Sequence, residues 1–130
     1  MTKKIFYIIS LSISLHAAAY NLSDYETLKM TNKCEGCNLS NVDLSSLTLK
    51  NIDLTESNLA NAKFSNTNLE RSKLDDVIMT SSNFYKASLR NATLKRARLD
   101  NSNLIDSDLS NTNMINASLR NSDLENAILD

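Results

Sequence analysis

Large apolar residues recur along this chain at every fifth position. Counting from Leu39, the series runs Leu39, Leu44, Leu49, Leu54, Leu59, Phe64, Leu69, Leu74, Met79, Phe84, Leu89, Leu94, Leu99, Leu104, Leu109, Met114, Leu119, Leu124 and Leu129 without interruption. Two residues before each lies a second uncharged series, mostly small, that includes Cys37, Ala62, Ser82 and Ala97. A period of five matches neither the 3.6 of a helix nor the 2 of a simple strand, so the repeat is the unit that folds. On an extended segment, residues two apart share a side. The small and the large residue of each pentapeptide therefore face inward, the residue between them faces out, and each pentapeptide forms one short side of a coil. The nineteen large residues are the predicted core.

A coil of four sides places residue i beside residue i+20, where opposite charges should meet. Within residues 37–130, eight opposite-sign pairs fall at that spacing: Asp43 with Lys63, Lys50 with Glu70, Asp53 with Lys73, Glu70 with Arg90, Asp75 with Lys95, Asp76 with Arg96, Lys86 with Asp106 and Asp100 with Arg120. One like-sign pair opposes them, Glu56 with Asp76. At i+15 the tally is two opposite against two like, and at i+25 three against five, so four sides fit better than three or five. The segments Ala62-Lys63-Phe64-Ser65-Asn66, Ser102-Asn103-Leu104 and Ser107-Asp108-Leu109-Ser110-Asn111 resemble the A(D/N)LXX motif of the pentapeptide repeat family, and the resemblance extends over residues 37–130. It implies an all-β fold, a right-handed quadrilateral β-helix, here of about 4.75 coils. Rungs spaced by roughly 4.8 Å would stack to a length of about 23 Å.

The first residues carry a different pattern. Lys3 and Lys4 precede an apolar run from Ile5 to Leu15, followed by Ala17, Ala18 and Ala19. This predicts a secretory signal over residues 1–19, cleaved between Ala19 and Tyr20. The run falls short of the roughly 20 apolar residues that a spanning helix needs, so no stable membrane insertion is expected after cleavage. The expected location is periplasmic or secreted, in a bacterial cell. Residues 20–36 are expected to cap the stack: Ser23 and Glu26 have capping-box spacing and predict a short helix over 23–31. Val42, Leu47 and Ile52, bulky for the small series, would pack beneath it. The last coil has no such cap, which suggests a homodimer through that end.

Composition narrows function. The 130 residues contain one Gly, no Pro and no Trp, and the single histidine, His16, lies in the signal. One Gly excludes glycine-rich phosphate loops. Removing Lys3 and Lys4 leaves 12 basic and 15 acidic residues, and that balance gives nucleic acid no electrostatic footprint. No catalytic, cofactor-binding or metal-ligating set is identifiable, and an apolar filling leaves no lumen for a substrate.

Cys34-Glu35-Gly36-Cys37 is a CxxC motif that an oxidising compartment could convert to a disulfide; redox activity and half a zinc site are the other readings. It resembles the CxxC-(D/N)-L-S stretch that opens many bacterial pentapeptide domains, and the resemblance implies a structural disulfide or buried thiol pair at Cys34 and Cys37. Lys86, Arg90, Lys95, Arg96 and Arg98 form a basic stretch that i±20 partners would neutralise, except at Arg98. Asn41, Asn61, Asn101 and Asn121 form an outward column that predicts a corner hydrogen-bond ladder. Tyr85 and Ile105 make a small apolar patch. The expected role is an exported, non-enzymatic structural or protein-interaction module with an unknown protein or envelope partner. The alternative, drawn from the resemblance, is a DNA-mimicking protein that interacts with gyrase.

Overall fold

The computed structural model describes residues 20–130; the predicted signal, including the Ala19 side of its cleavage site, lies outside the described residues. One helix, α1 (Leu22–Thr31), precedes a ladder of isolated bridges that are all parallel and all join residue i to residue i+20, from Lys33 with Asp53 to Asp108 with Ile128. Twenty residues therefore close each turn of the chain, at four pentapeptides per turn. Each pentapeptide contributes a single bridged residue, so no strand longer than one residue forms among the described residues. The rest of each pentapeptide is spent on turning the corner.

The corner has a defined backbone cause. The second residue after each central apolar residue has a positive φ, between 56° and 64° from Asn41 to Asn126, and Gly36 takes φ 65° in the same register. Most L residues are disfavoured there, while Asn tolerates it and Gly is free of the penalty. Asn fills ten of the slots, among them Asn41, Asn51, Asn61 and Asn101. Bonds between coils follow the same period. The Leu39 N–H donates to the Asn58 carbonyl at 2.8 Å, the Asn41 N–H to the Ala60 carbonyl at 2.8 Å, and the Asn58 N–H back to the Cys37 carbonyl at 2.8 Å.

The central residues from Leu39 to Leu109 are all fully buried, with Phe64 and Phe84 stacked at 4.8 Å between ring centroids. The expected core is too long at its far end. Met114, Leu119 and Leu124 are only partly buried, and Leu129 is 56% exposed, because the last described coil is covered from one side only. Most buried hydroxyls of the small series are satisfied by the coil before: Ser57 donates to the Cys34 carbonyl at 2.6 Å, Thr67 to Leu44 at 2.8 Å, Ser82 to Leu59 at 2.9 Å and Ser102 to Met79 at 2.9 Å, while Ser107 donates to Leu104 in its own coil at 2.7 Å. A buried hydroxyl without a partner would cost about 1–3 kcal/mol, so this geometry lets Ser and Thr alternate with Ala in one slot.

At the other end α1 lies on the first coil. Tyr25 and Leu28 are buried in the same core cluster as Leu39, Val42 and Ile52, while Leu47 is partly exposed. The N-cap is Asn21, one turn of logic earlier than the Ser23 expected from the capping box: its Oδ1 accepts from the N–H groups of Ser23 at 2.9 Å and Asp24 at 3.3 Å. Ser23 has entered the first turn, where its carbonyl accepts from the Thr27 hydroxyl at 2.9 Å. Asn32 ends the helix in the left-handed region, and Lys33 already bridges Asp53, so coil pairing begins inside the segment expected to cap it. Stepping back by five from Leu39 and Asn41 reaches Cys34 and Gly36, which places Asn32 to Gly36 in the repeat register.

Two stability outcomes are expected in urea unfolding. Phe84→Ala should cost about 3–5 kcal/mol, as for a fully buried aromatic, whereas Leu129→Ala should stay within roughly 0.5 kcal/mol of the parent. Lys86→Asn, at a left-handed corner, should stabilise by about 1 kcal/mol, and an unchanged midpoint would show that the corners carry no such cost.

Candidate interaction surfaces

With the interior filled, whatever the molecule binds must meet its outside. The four sides of the coil are the columns Leu39-Leu59-Met79-Leu99-Leu119, Leu44-Phe64-Phe84-Leu104-Leu124, Leu49-Leu69-Leu89-Leu109-Leu129 and Cys34-Leu54-Leu74-Leu94-Met114, as the bridge register dictates. The residue before each central one faces out and, where it is Asn or Asp, braces its own corner. Asn58 Oδ1 accepts from the Ala60 N–H at 3.1 Å, Asn68 from Glu70 at 3.0 Å, and Asn83 and Asn103 from Tyr85 and Ile105, both at 3.0 Å. This is the local side-chain-to-backbone bond that makes Asn and Asp turn residues.

Of the eight charge pairs expected at i+20, four close as ion pairs. Lys50 meets Glu70 at 2.7 Å, Lys63 meets Asp43 at 3.6 Å, Lys73 meets Asp53 at 3.7 Å, and Arg96 holds Asp76 through two nitrogens, its Nε at 2.6 Å. Two more are diverted to the backbone. Asp75 accepts from the Lys95 N–H and Asp100 from the Arg120 N–H, each at 2.9 Å, replacing the brace that Thr93 and Ser118 cannot supply. Arg90 turns from Glu70 to Asp108 at 3.6 Å, and Lys86 lies over the Tyr85 ring, 5.0 Å from its centroid. Within the basic stretch Arg96 keeps its expected partner and Arg90 takes another, whereas Lys86, Lys95 and Arg98 make no ion pair among the described residues.

The carboxylates respond to these contacts. The hydrogen-bonded Arg96 guanidinium holds the Asp76 carboxyl below its ordinary range, Lys50 does the same for Glu70, and the Ser118 hydroxyl with the Arg120 N–H does so for Asp100. Burial pushes Asp53 up, but bonds from Thr55 and the charge of Lys73 outweigh it and leave the carboxyl lowered. Tyr25 is pushed up to about 12 by burial, reinforced by Tyr20 and Glu26.

Cys34 occupies a central slot and Cys37 a small-series slot, their Cα atoms 5.6 Å apart and their sulfurs joined. The Asn41, Asn61, Asn101 and Asn121 column sits at the corners with positive φ, and the backbone N–H groups of Asn41, Asn61 and Asn101 donate to the next coil, without side-chain bonds between these asparagines among the described residues. The left-handed corner directs the main-chain N–H, not the side-chain amide, at the next coil. Tyr85 and Ile105 are half-buried. The large exposed apolar residues are elsewhere: Leu22 and Met30 on α1, and Ile115, Ile128 and Leu129 on the last described coil. Among the described residues no group of three or more His, Cys, Asp or Glu side chains could hold a metal ion, and no helix is long and apolar enough to cross a membrane.

A family model described as the pentapeptide repeat region matches residues 30–104, and one described as pentapeptide repeats (8 copies) matches residues 94–130. No curated protein matches the chain. Similar solved structures include HetL, a pentapeptide repeat protein involved in heterocyst differentiation regulation from the cyanobacterium Nostoc sp. strain PCC 7120, at 23% identity and a TM-score of 0.47. The match covers 81% of this chain and 47% of HetL, so the chain spans about half the length of that protein. Rfr23 from the cyanobacterium Cyanothece 51142 matches at 23% identity and a TM-score of 0.40, over 83% of this chain and 98% of its own. A pentapeptide repeat protein of the Arabidopsis thaliana thylakoid lumen matches at 25% identity and a TM-score of 0.47, over 74% and 64%.

The paired carboxylates set the pH response. Asp76, Glu70, Asp100 and Asp53 each titrate lower in the folded chain than in the unfolded one, so the stability they contribute is present above the unfolded values and lost as pH falls through the folded ones. The urea midpoint should be level from about pH 5 to 8 and fall below about pH 4. A midpoint that stays level to about pH 3 would mean that these contacts contribute nothing.

Proposed function

The chain belongs to the pentapeptide repeat proteins, and on that premise we propose that it is an exported, non-enzymatic interaction module, a rigid right-handed prism that presents its outer faces to a protein or envelope partner. The observation that carries this reading is the filled interior, with every central side chain from Leu39 to Leu109 sealed from solvent. Binding then falls to the outside, which carries charges of both signs, several of them adjacent, as Lys50 with Glu70 and Arg96 with Asp76. That mixture also favours a protein partner over the DNA-mimic reading, which calls for a sustained negative surface.

Export rests on the Lys3-Lys4, Ile5 to Leu15 and Ala17-Ala19 succession. Cleavage after Ala19 would leave Tyr20 as the first residue, and its ring packs against Tyr25 with 5.3 Å between centroids, so the new terminus would begin docked on α1. An oxidising compartment would hold Cys34 and Cys37 as a disulfide under that helix. The exposed Ile115, Ile128 and Leu129 beside half-buried Met114, Leu119 and Leu124 support self-association through the last described coil.

Intact and native mass spectrometry on a periplasmic extract of an expressing bacterium tests these points together. The expected species starts at Tyr20, resists thiol alkylation until reduced, and appears as a dimer under native conditions. A full-length cytoplasmic chain with free thiols would overturn export, and a monomer at all concentrations would overturn self-association.

A further inference from the structure

The first corner of the stack is built differently from the others. Gly36, the only glycine of the chain, turns it with φ 65°. Ten other corners hold the same conformation with Asn, and open space surrounds the place where a Cβ of residue 36 would stand, so neither φ nor packing calls for glycine. A glycine costs folding entropy and gives the backbone freedom to move. Here that freedom is locked, because the bond between Cys34 and Cys37 closes a short loop around Gly36.

The same loop is where α1 is docked. Among the described residues, three hydrogen bonds join the helix and its caps to the first coils: the Asn21 N–H to the Asn38 carbonyl at 2.9 Å, the Asn38 N–H to Asp24 Oδ2 at 2.8 Å and the Asp53 N–H to the Asn32 carbonyl at 3.1 Å. Two of them end on Asn38, the residue after Cys37. The Cys34 sulfur lies 3.1 Å from the Asp24 carbonyl oxygen, and Tyr25 and Leu28 are buried in the same cluster as both cysteines. On its other side the loop is held to the next coil by Ser57, whose hydroxyl donates to the Cys34 carbonyl at 2.6 Å and accepts from the Cys37 N–H at 3.1 Å. Freedom released at Gly36 therefore passes to the helix rather than to the coils.

We propose that the Cys34–Cys37 disulfide is a redox latch on α1. Oxidised, it fixes the first corner and holds the helix over the end of the core; reduced, it frees Gly36 as a hinge and lets the helix lift. The reductant is a dithiol. Its thiolate attacks the sulfur of Cys37, which is 9% exposed against 2% for Cys34, and forms a mixed disulfide, while Cys34 leaves as a thiolate and takes up a proton. The second thiolate of the reductant then displaces Cys37, which is protonated in turn, and the reductant departs as its own disulfide. Lifting α1 exposes Tyr25 and Leu28, both sealed in the oxidised chain. The inference stands apart from export and from any protein partner.

The test is amide hydrogen exchange, followed by NMR on the 15N-labelled protein with and without dithiothreitol, with thiol alkylation reporting the state of the bond. Reduction is expected to speed exchange at Tyr25, Asn32 and Asn38 roughly tenfold and to leave Leu69, Phe84 and Leu89 unchanged. Cys37→Ala puts into the small slot a residue that already fills it at Ala62 and Ala97, and it should exchange like the reduced protein without any reductant. Gly36→Asn should lower the effect of reduction about threefold, because Asn is a stiffer hinge that other corners already accept. Unchanged exchange after reduction would overturn the latch. So would faster exchange throughout the stack, a bond that dithiothreitol does not open, or a C37A protein that behaves like the oxidised one. An undiminished effect in G36N would overturn the hinge.

Discussion

One backbone constraint governs this molecule: a left-handed residue at every fifth position. Each one turns the chain through a corner, and four corners return it above its starting point, where main-chain N–H and carbonyl groups meet those of the next coil. The conformation is costly for most L residues, and the chain meets that cost with Asn at most corners and with Gly at the first. Glu56, Arg71, Asp76, Lys86, Arg96 and Asp106 adopt it too, held there by coil-to-coil bonds. Strain at these corners is thus distributed along the whole stack rather than concentrated at a site.

The interior follows from the corners. Four central side chains per coil face the interior, and large apolar residues fill it, with Phe64 and Phe84 stacked in adjacent coils. Small-series hydroxyls reach the carbonyls of the coil before, so Ser and Thr can be buried without an orphaned group. A core of this kind has no room for a reacting centre, and chemistry that needs a cavity is displaced to the rim. An open groove lies at the junction of helix and coil, lined by Thr31 and Asn32 at the end of α1 and by residues of the first coils.

The surface shows the limit of pairwise spacing. Two residues twenty apart are neighbours, and Asp43 with Lys63 or Asp76 with Arg96 behave as neighbours of opposite charge should. Yet a carboxylate has other demands nearby. Where the corner lacks an Asn or Asp brace, as at Thr93 and Ser118, the main-chain N–H of the next coil bonds Asp75 or Asp100 in place of an ion pair with Lys95 or Arg120. An exposed ion pair is worth about 0–1 kcal/mol, little enough for a hydrogen bond to the main chain to redirect it.

What the sequence determined by itself was the period. Nineteen apolar residues at a spacing of five, and opposite charges at a spacing of twenty, define the side, the coil and most of the core, because each is a property of a repeating chain and its immediate neighbours. The helix was legible from local capping spacing, though its cap fell to Asn21 instead of Ser23, since capping depends on where the preceding chain enters. Tertiary structure decided how deep the exposure of the last described coil reaches, leaving Leu129 exposed while Leu109 in the same column is sealed. It alone decided that Arg90 joins Asp108, and that Thr31, Lys33, Lys50, Arg71 and Lys73 share one groove. Those outcomes depend on which coil lies above and on how a non-repeating helix is laid across a repeating stack, and no period in the sequence encodes that placement.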